Sequence, residues 1–174
     1  TAAVIRQALG EAQAGRMADA CRTAERGIAQ GGDAGPLYAL LGMLRCRSGD
    51  LAGGVDDLRR ALAGRPADHA IAGNLATVLV ELHRFDEAVD VATADRAEAD
   101  PSLRLARLRA YALQQAERFT EAADAYRVVL TREPHDWESW NNLGNALAAG
   151  GRPADAATAL RRAIELAPDV PPVH

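Results

Sequence analysis

Lysine is absent from this sequence; all 20 basic residues are arginine. Two readings of that absence stand: the codon usage of a GC-rich, bacterial genome, or a use for the planar guanidinium on carboxylates. Aromatic residues make up only 4% of the chain. With alanine so frequent, this favours helices that approach each other closely, and alanine is the best helix former. A net charge of −4 leaves no basic stripe for phosphates, which excludes nucleic acid as a partner. Cys21 and Cys46 are the only cysteines. They have neither CxxC spacing nor a nearby histidine pair, so a metal site is not expected and free thiols are. No stretch reaches the ~18 apolar residues of a membrane span, so no membrane partner is expected. Thr1 to Gly10 lacks the charged start and long apolar core of a leader. A cytoplasmic home is expected. Because the chain opens without Met inside a helical pattern, a removed leader and a periplasmic home stay open.

What the chain does have is a period. Gly42, Ala76, Ala110 and Gly144 are each 34 residues apart, as are Ala20, Gly54, Ala88, Ala122 and Ala156. Leu58, Ala92, Tyr126 and Leu160 keep the same beat, and Pro66, Pro134 and Pro168 close three of the units. A period of this length predicts stacked helical hairpins, each burying its apolar face against its neighbours. The predicted units are 1–34, 35–68, 69–102, 103–136 and 137–170. Residues 171–174 read as the opening of a truncated sixth hairpin. In the last full unit Trp140, Leu143, Gly144 and Leu147 share a helical face. Gly150-Gly151-Arg152-Pro153 then breaks the chain, and proline is tolerated in the first turn of the next helix.

The units share a spacing: a large residue, Leu-Gly, a large residue, Ala, a large or aromatic residue, Ala, then Pro. In 35–68 these places hold Tyr38, Leu41-Gly42, Arg45, Gly54, Leu58, Ala61 and Pro66. In 103–136 they hold Ala106, Arg109-Ala110, Leu113, Ala122, Tyr126, Val129 and Pro134. In 69–102 Leu75-Ala76, Leu79 and Ala88 match, with Phe85 in the turn. The pattern resembles the tetratricopeptide repeat over nearly the whole chain. That resemblance implies an all-α fold: a right-handed solenoid of stacked antiparallel hairpins, with the first helix of each unit lining a concave groove.

Two departures stand out. The second helix of 69–102 has Ala92 where a large residue is usual and Asp95 where Ala is usual, so a looser or reoriented joint is expected there. At the other end nothing caps the apolar flank of 153–167. Either the natural protein continues, or this face docks on something, self-association included.

Arg104, Arg107 and Tyr111 share one helical face, and Asn141 and Asn145 share another with Asn142 beside them; Asn74 and Thr77 lie on the preceding unit. Together they predict a polar track. An asparagine amide both donates to and accepts from a peptide backbone, and arginine clamps carboxylates. Ile5, Leu9, Ala39, Met43 and Cys46 would make the groove of the first two units apolar. Some members of the family carry a Lys-Asn-Arg clamp for chaperone tails, but Gly73, Thr77, Leu108 and Glu138 hold the corresponding places here. Others carry an asparagine ladder; Asn74 and Asn142 stand at its place, while Arg6, Leu40 and Leu108 interrupt it.

No Gly-rich phosphate loop, no GxSxG and no close histidine pair occurs. The chain is therefore read as non-catalytic and cofactor-free: a scaffold that binds a protein or peptide, with acidic or carboxylate-ending segments favoured. The alternative is the N-terminal, substrate-recruiting or dimerising region of a larger bacterial sulfotransferase or glycosyltransferase.

Overall fold

The structure, a computed structural model, describes residues 1–167. Pro168 and the expected opening of a sixth hairpin at 171–174 lie outside the described residues. Eleven helices and no strand occur among the described residues. They group into two compact units that meet in the chain at His83 and Arg84.

The first unit contains α1 (Ala2–Gln13), α2 (Met17–Ala29), α3 (Ala34–Arg47), α4 (Leu51–Gly64) and α5 (His69–Glu81). α1 pairs with α2 and α3 with α4; α2 packs on α3, and α4 on α5. Small residues set the spacing inside a hairpin. A methyl group placed on Gly42 would lie 2.8 Å from Leu58 Cγ and 3.0 Å from the Gly54 carbonyl oxygen. Gly54 in turn makes room for a cysteine, because a Cβ there would lie 2.2 Å from Cys46 Sγ. Cys21 and Cys46 are both free thiols, and burial pushes both pKa values up. Cys46 and Ile5 thus belong to packing, Cys46 beside Gly54 and Ile5 on the core around Ala8 and Leu41, while Leu9 and Met43 are exposed.

The second unit contains α6 (Phe85–Val91), α7 (Ala94–Ala99), α8 (Arg104–Gln115), α9 (Phe119–Arg132), α10 (Trp137–Ala149) and α11 (Pro153–Leu166). α8 pairs with α9 and α10 with α11; α9 packs on α10, and both α6 and α7 pack on α8. Here a methyl on Gly144 would lie 2.6 Å from Leu160 Cγ. Trp140 is half-buried and donates from its indole nitrogen to the Pro134 carbonyl at 3.0 Å.

The turns carry the period too. Gly15, Gly49, His83, Glu117 and Gly151 all have positive φ and are 34 residues apart. Each ends the first helix of a predicted unit in the left-handed conformation that glycine adopts without steric cost. At His83 and Glu117 a side chain bears that cost. The next residue is the N-cap of the second helix, and it is arginine in four of the five cases. Arginine is a poor cap, so the acid three residues on ties it down. Arg84 grips Glu87 with two bonds of 2.6 and 2.7 Å, Arg118 grips Glu121 with two of 2.8 Å, and Arg152 reaches Asp155 at 2.8 Å.

The joint expected in 69–102 is a full break. The second helix stops at Val91 and restarts at Ala94, with the Thr93 hydroxyl capping Arg96 N–H at 3.3 Å. Register gives the cause. Ala61, Val129 and Ala163, the equivalents of Asp95, are all buried. An unbroken helix would put the Asp95 carboxylate in that buried place without a partner, at a cost of several kcal/mol. The break turns Asp95 to solvent in the first turn of α7, where the helix dipole favours an acid.

Candidate functional site

Breaking a helix orphans carbonyls, and arginines answer them. Arg109 donates from Nη1 to the carbonyls of Val89 at 3.3 Å and Ala92 at 3.1 Å, and Arg96 donates to that of Val91 at 2.8 Å. Arg132 donates to the carbonyls of Asp100, at 3.0 Å, and Glu98. Arg109 stands in the register of Leu41, Leu75 and Leu143, all buried. A charge in a leucine's place was the sequence signal for this arrangement, and it was missed. Asp100, 3% exposed, accepts from Ser102 N–H and Oγ at 3.0 and 2.7 Å and from Leu105 N–H at 2.9 Å. It therefore caps α8 from four residues upstream of Arg104.

On α8, Arg104, Arg107 and Tyr111 line one open recess of about 390 Å³ with Ser102 and Leu108. Tyr111 is 43% exposed. A second recess, of about 460 Å³, shares Arg107 and continues over Glu133 to Asp136. Arg107 is committed: its Nη2 donates to Asp136 Oδ2 at 3.1 Å and also to Glu133. Asp136 is the N-cap of α10, accepting from Ser139 N–H at 3.2 Å and Oγ at 2.7 Å. Burial pushes the Asp136 carboxyl up, but the Ser139 and Arg107 bonds outweigh it and leave the pKa lowered. Arg107 thus ties α8 to the start of α10, and its charge is largely answered from within the fold.

Asn141, Asn142 and Asn145 are half-buried on α10, and their side-chain amides bond to no described residue. Half-buried amides with unspent donors and acceptors can receive a ligand's backbone. α8 and α10 both pack on α9, so the recess and the three asparagines belong to one unit. Asn74 and Thr77 sit on α5, in the other unit. The Thr77 hydroxyl is turned onto its own helix, donating to the Gly73 carbonyl at 2.8 Å.

In the first unit the strongest charge cluster is structural. Asp57, 1% exposed, meets Arg45 at 2.6 Å and Arg60 at 3.6 Å. Arg45 also bonds Glu25 at 2.8 Å, and the Arg60 guanidinium lies 5.5 Å from the Tyr38 ring centroid. Asp57 Oδ1 has no hydrogen bond. Burial accordingly pushes the Asp57 carboxyl up despite its two arginines. No group of histidine, cysteine and acids able to hold a metal occurs among the described residues, and no helix there is long and apolar enough to cross a membrane.

A family model described as tetratricopeptide repeat matches residues 39–102 and 107–171. No curated protein sequence matches the chain. Among solved structures, MamA AMB-1 is similar at 24% identity and a TM-score of 0.81, covering 98% of this chain and 93% of that one. MamA from Desulfovibrio magneticus RS-1 aligns at 18% identity and a TM-score of 0.76, covering 94% and 92%. YrrB, described as a TPR protein with an unusual peptide-binding site, aligns at 18% identity and a TM-score of 0.82, covering 95% and 86%.

Proposed function

Since this chain belongs to the tetratricopeptide repeat family, we propose that it is a non-catalytic scaffold that holds an extended segment of a partner protein. The face formed on α8 and α10 of the second unit is where we place that segment. The observation that carries the reading is the set of asparagines, Asn141, Asn142 and Asn145. Asparagine is a poor helix former, yet three occur within five residues, half-buried and without a hydrogen bond to any described residue. Such amides read a backbone rather than a particular side chain. On α8, Tyr111 and Leu108 offer an apolar surface and Arg104 a positive charge. YrrB's described peptide site supports a peptide as ligand in this fold.

Arg107 changes the expected electrostatics. With Glu133 and Asp136 on its guanidinium, Arg107 adds little to a preference for acidic or carboxylate-ending segments. Peptides selected from an unbiased displayed library give the test. Titration calorimetry of a selected peptide should show about tenfold weaker binding for Asn141→Ala with Asn145→Ala, and likewise for Arg104→Ala with Tyr111→Ala. A carboxylate preference would also make affinity fall with salt. Unchanged affinity in both double variants rejects this face as the site.

Self-association is a second reading, favoured by Ile164 of α11, which is 50% exposed. Light scattering over a concentration series should then show growth that Ile164→Glu abolishes; a constant monomer mass rejects it.

A further inference from the structure

We infer that residues 93–103 form a strap that opens as a unit from α8 and α9, held shut by Arg132 and Asp100 rather than by apolar packing, with Arg109 fixing the hinge before it. The strap comprises α7 and the loop to α8. Its apolar anchors are slight: Ala97 and Leu103 are the buried apolar side chains within it. Leu103 adopts a left-handed φ of 58°, a conformation that leucine leaves unless its surroundings impose it. What imposes it is polar. Asp100 holds Ser102 and Leu105, and Arg132 reaches across from α9 to the Glu98 and Asp100 carbonyls. At the other end Arg109 of α8 holds the carbonyls of Val89 and Ala92, where α6 stops. Arg96 secures the same break from inside the strap, on the Val91 carbonyl.

Between α7 and α9 lies a groove of about 530 Å³. Ala106 and Arg109 of α8, Ala94 and Ala97 of α7, and Ala125 and Val128 of α9 are among its lining. Arg132, which shuts the strap, and Arg109, which fixes its hinge, line it as well and are reachable from solvent. A segment fixed by a few side-chain bonds to carbonyls, with little apolar burial, opens at lower free energy than the helices around it. Opening it takes away the α7 wall and widens this groove. The strap is thus a conformational device on the elements that position Arg104 and Arg107, since Leu103 is the N-cap of α8.

Amide hydrogen exchange on the full chain tests it. In the parent, the amides of Ala97, Asp100, Ser102 and Leu105, bonded to Thr93 O, Arg96 O and the two Asp100 carboxylate oxygens, should exchange together. They should do so at least tenfold faster than Leu113 or Val129. Arg132→Met should speed that group a further tenfold and leave α10 and α11 unchanged. Arg127→Met, on the same groove but paired among the described residues only with Asp124, should do nothing. If the four amides exchange no faster than Leu113 and Val129 in the parent, the strap does not open separately. A variant that loosens all of the second unit equally also overturns the proposal.

Discussion

α9 and the α6–α7 pair occupy the same place in successive repeats, yet one is a single helix of 14 residues and the other is cut in two. α9 presents Tyr126 and Val129 to the interior, both buried. The register equivalents in the broken element are Ala92 and Asp95. α2 is unbroken with Ala24 in the register of Ala92, so the valine's lack of charge keeps α9 whole and the carboxylate at Asp95 does not. Tyr126 also donates from its hydroxyl to Gln114 Oε1 at 3.0 Å, and its burial pushes the phenol pKa far up. One buried position per helix therefore decides whether this repeat runs straight. Where it fails, arginines from the next hairpin replace the lost backbone bonds.

The strongest way to break the comparison is to move the acid. Val129→Asp should destabilise the chain by about 3 kcal/mol or more, read from denaturant melts, because it buries an unpaired carboxylate. Asp95→Ala, at an exposed site, should change stability by less than about 1 kcal/mol. Equal effects would show that register is not the cause of the break. Next come the close helix contacts. Ala122→Leu and Ala156→Leu should each cost about 1–3 kcal/mol by overpacking, and unchanged melting temperatures in both would contradict the hairpin pairing.

Acid titration sharpens a second contrast, between Asp57 and Asp136. Both are paired with arginine, but only Asp136 has the hydrogen bonds of Ser139 as well. With its folded pKa lowered, Asp136 contributes stability above the usual carboxylate range, lost as pH falls through that range and below. With its folded pKa raised, Asp57 acts the other way, and the fold gains from its protonation as pH falls. Melting temperature followed from neutral to acid pH should fall less for Asp136→Asn than for the parent, and more steeply for Asp57→Asn. The same slope in both variants would contradict this assignment. The smallest effect lies in the turns. Glu117→Gly should stabilise, and Gly151→Ala destabilise, each by about 1 kcal/mol, because both positions need positive φ; melts showing the same sign for both would contradict it.

The hairpins were legible because the 34-residue beat is carried by small residues with a steric task, Gly42 against Leu58 and Gly144 against Leu160. Ala92 and Asp95 announced trouble in the third repeat, but not its form. The form depends on Arg109 and Arg132, whose carbonyl partners lie 17 to 34 residues away in sequence. The partners of Arg107 were hidden for the same reason: spacing along α8 puts it beside Arg104 and Tyr111, and nothing local reveals Glu133 and Asp136 on its guanidinium. The asparagine cluster was visible because poor helix formers inside a helix need a reason, and the structure leaves its amides bonded to no described residue.

The most direct test of the proposed function is an NMR titration of the full chain with a library-selected peptide, following backbone and asparagine side-chain amides. We expect the side-chain amides of Asn141 and Asn145 and the backbone around Tyr111 to shift together and saturate at one affinity. Shifts confined to the groove between α7 and α9, or to α11, with the asparagine amides unmoved, would contradict the α8–α10 face as the place where this scaffold holds its partner.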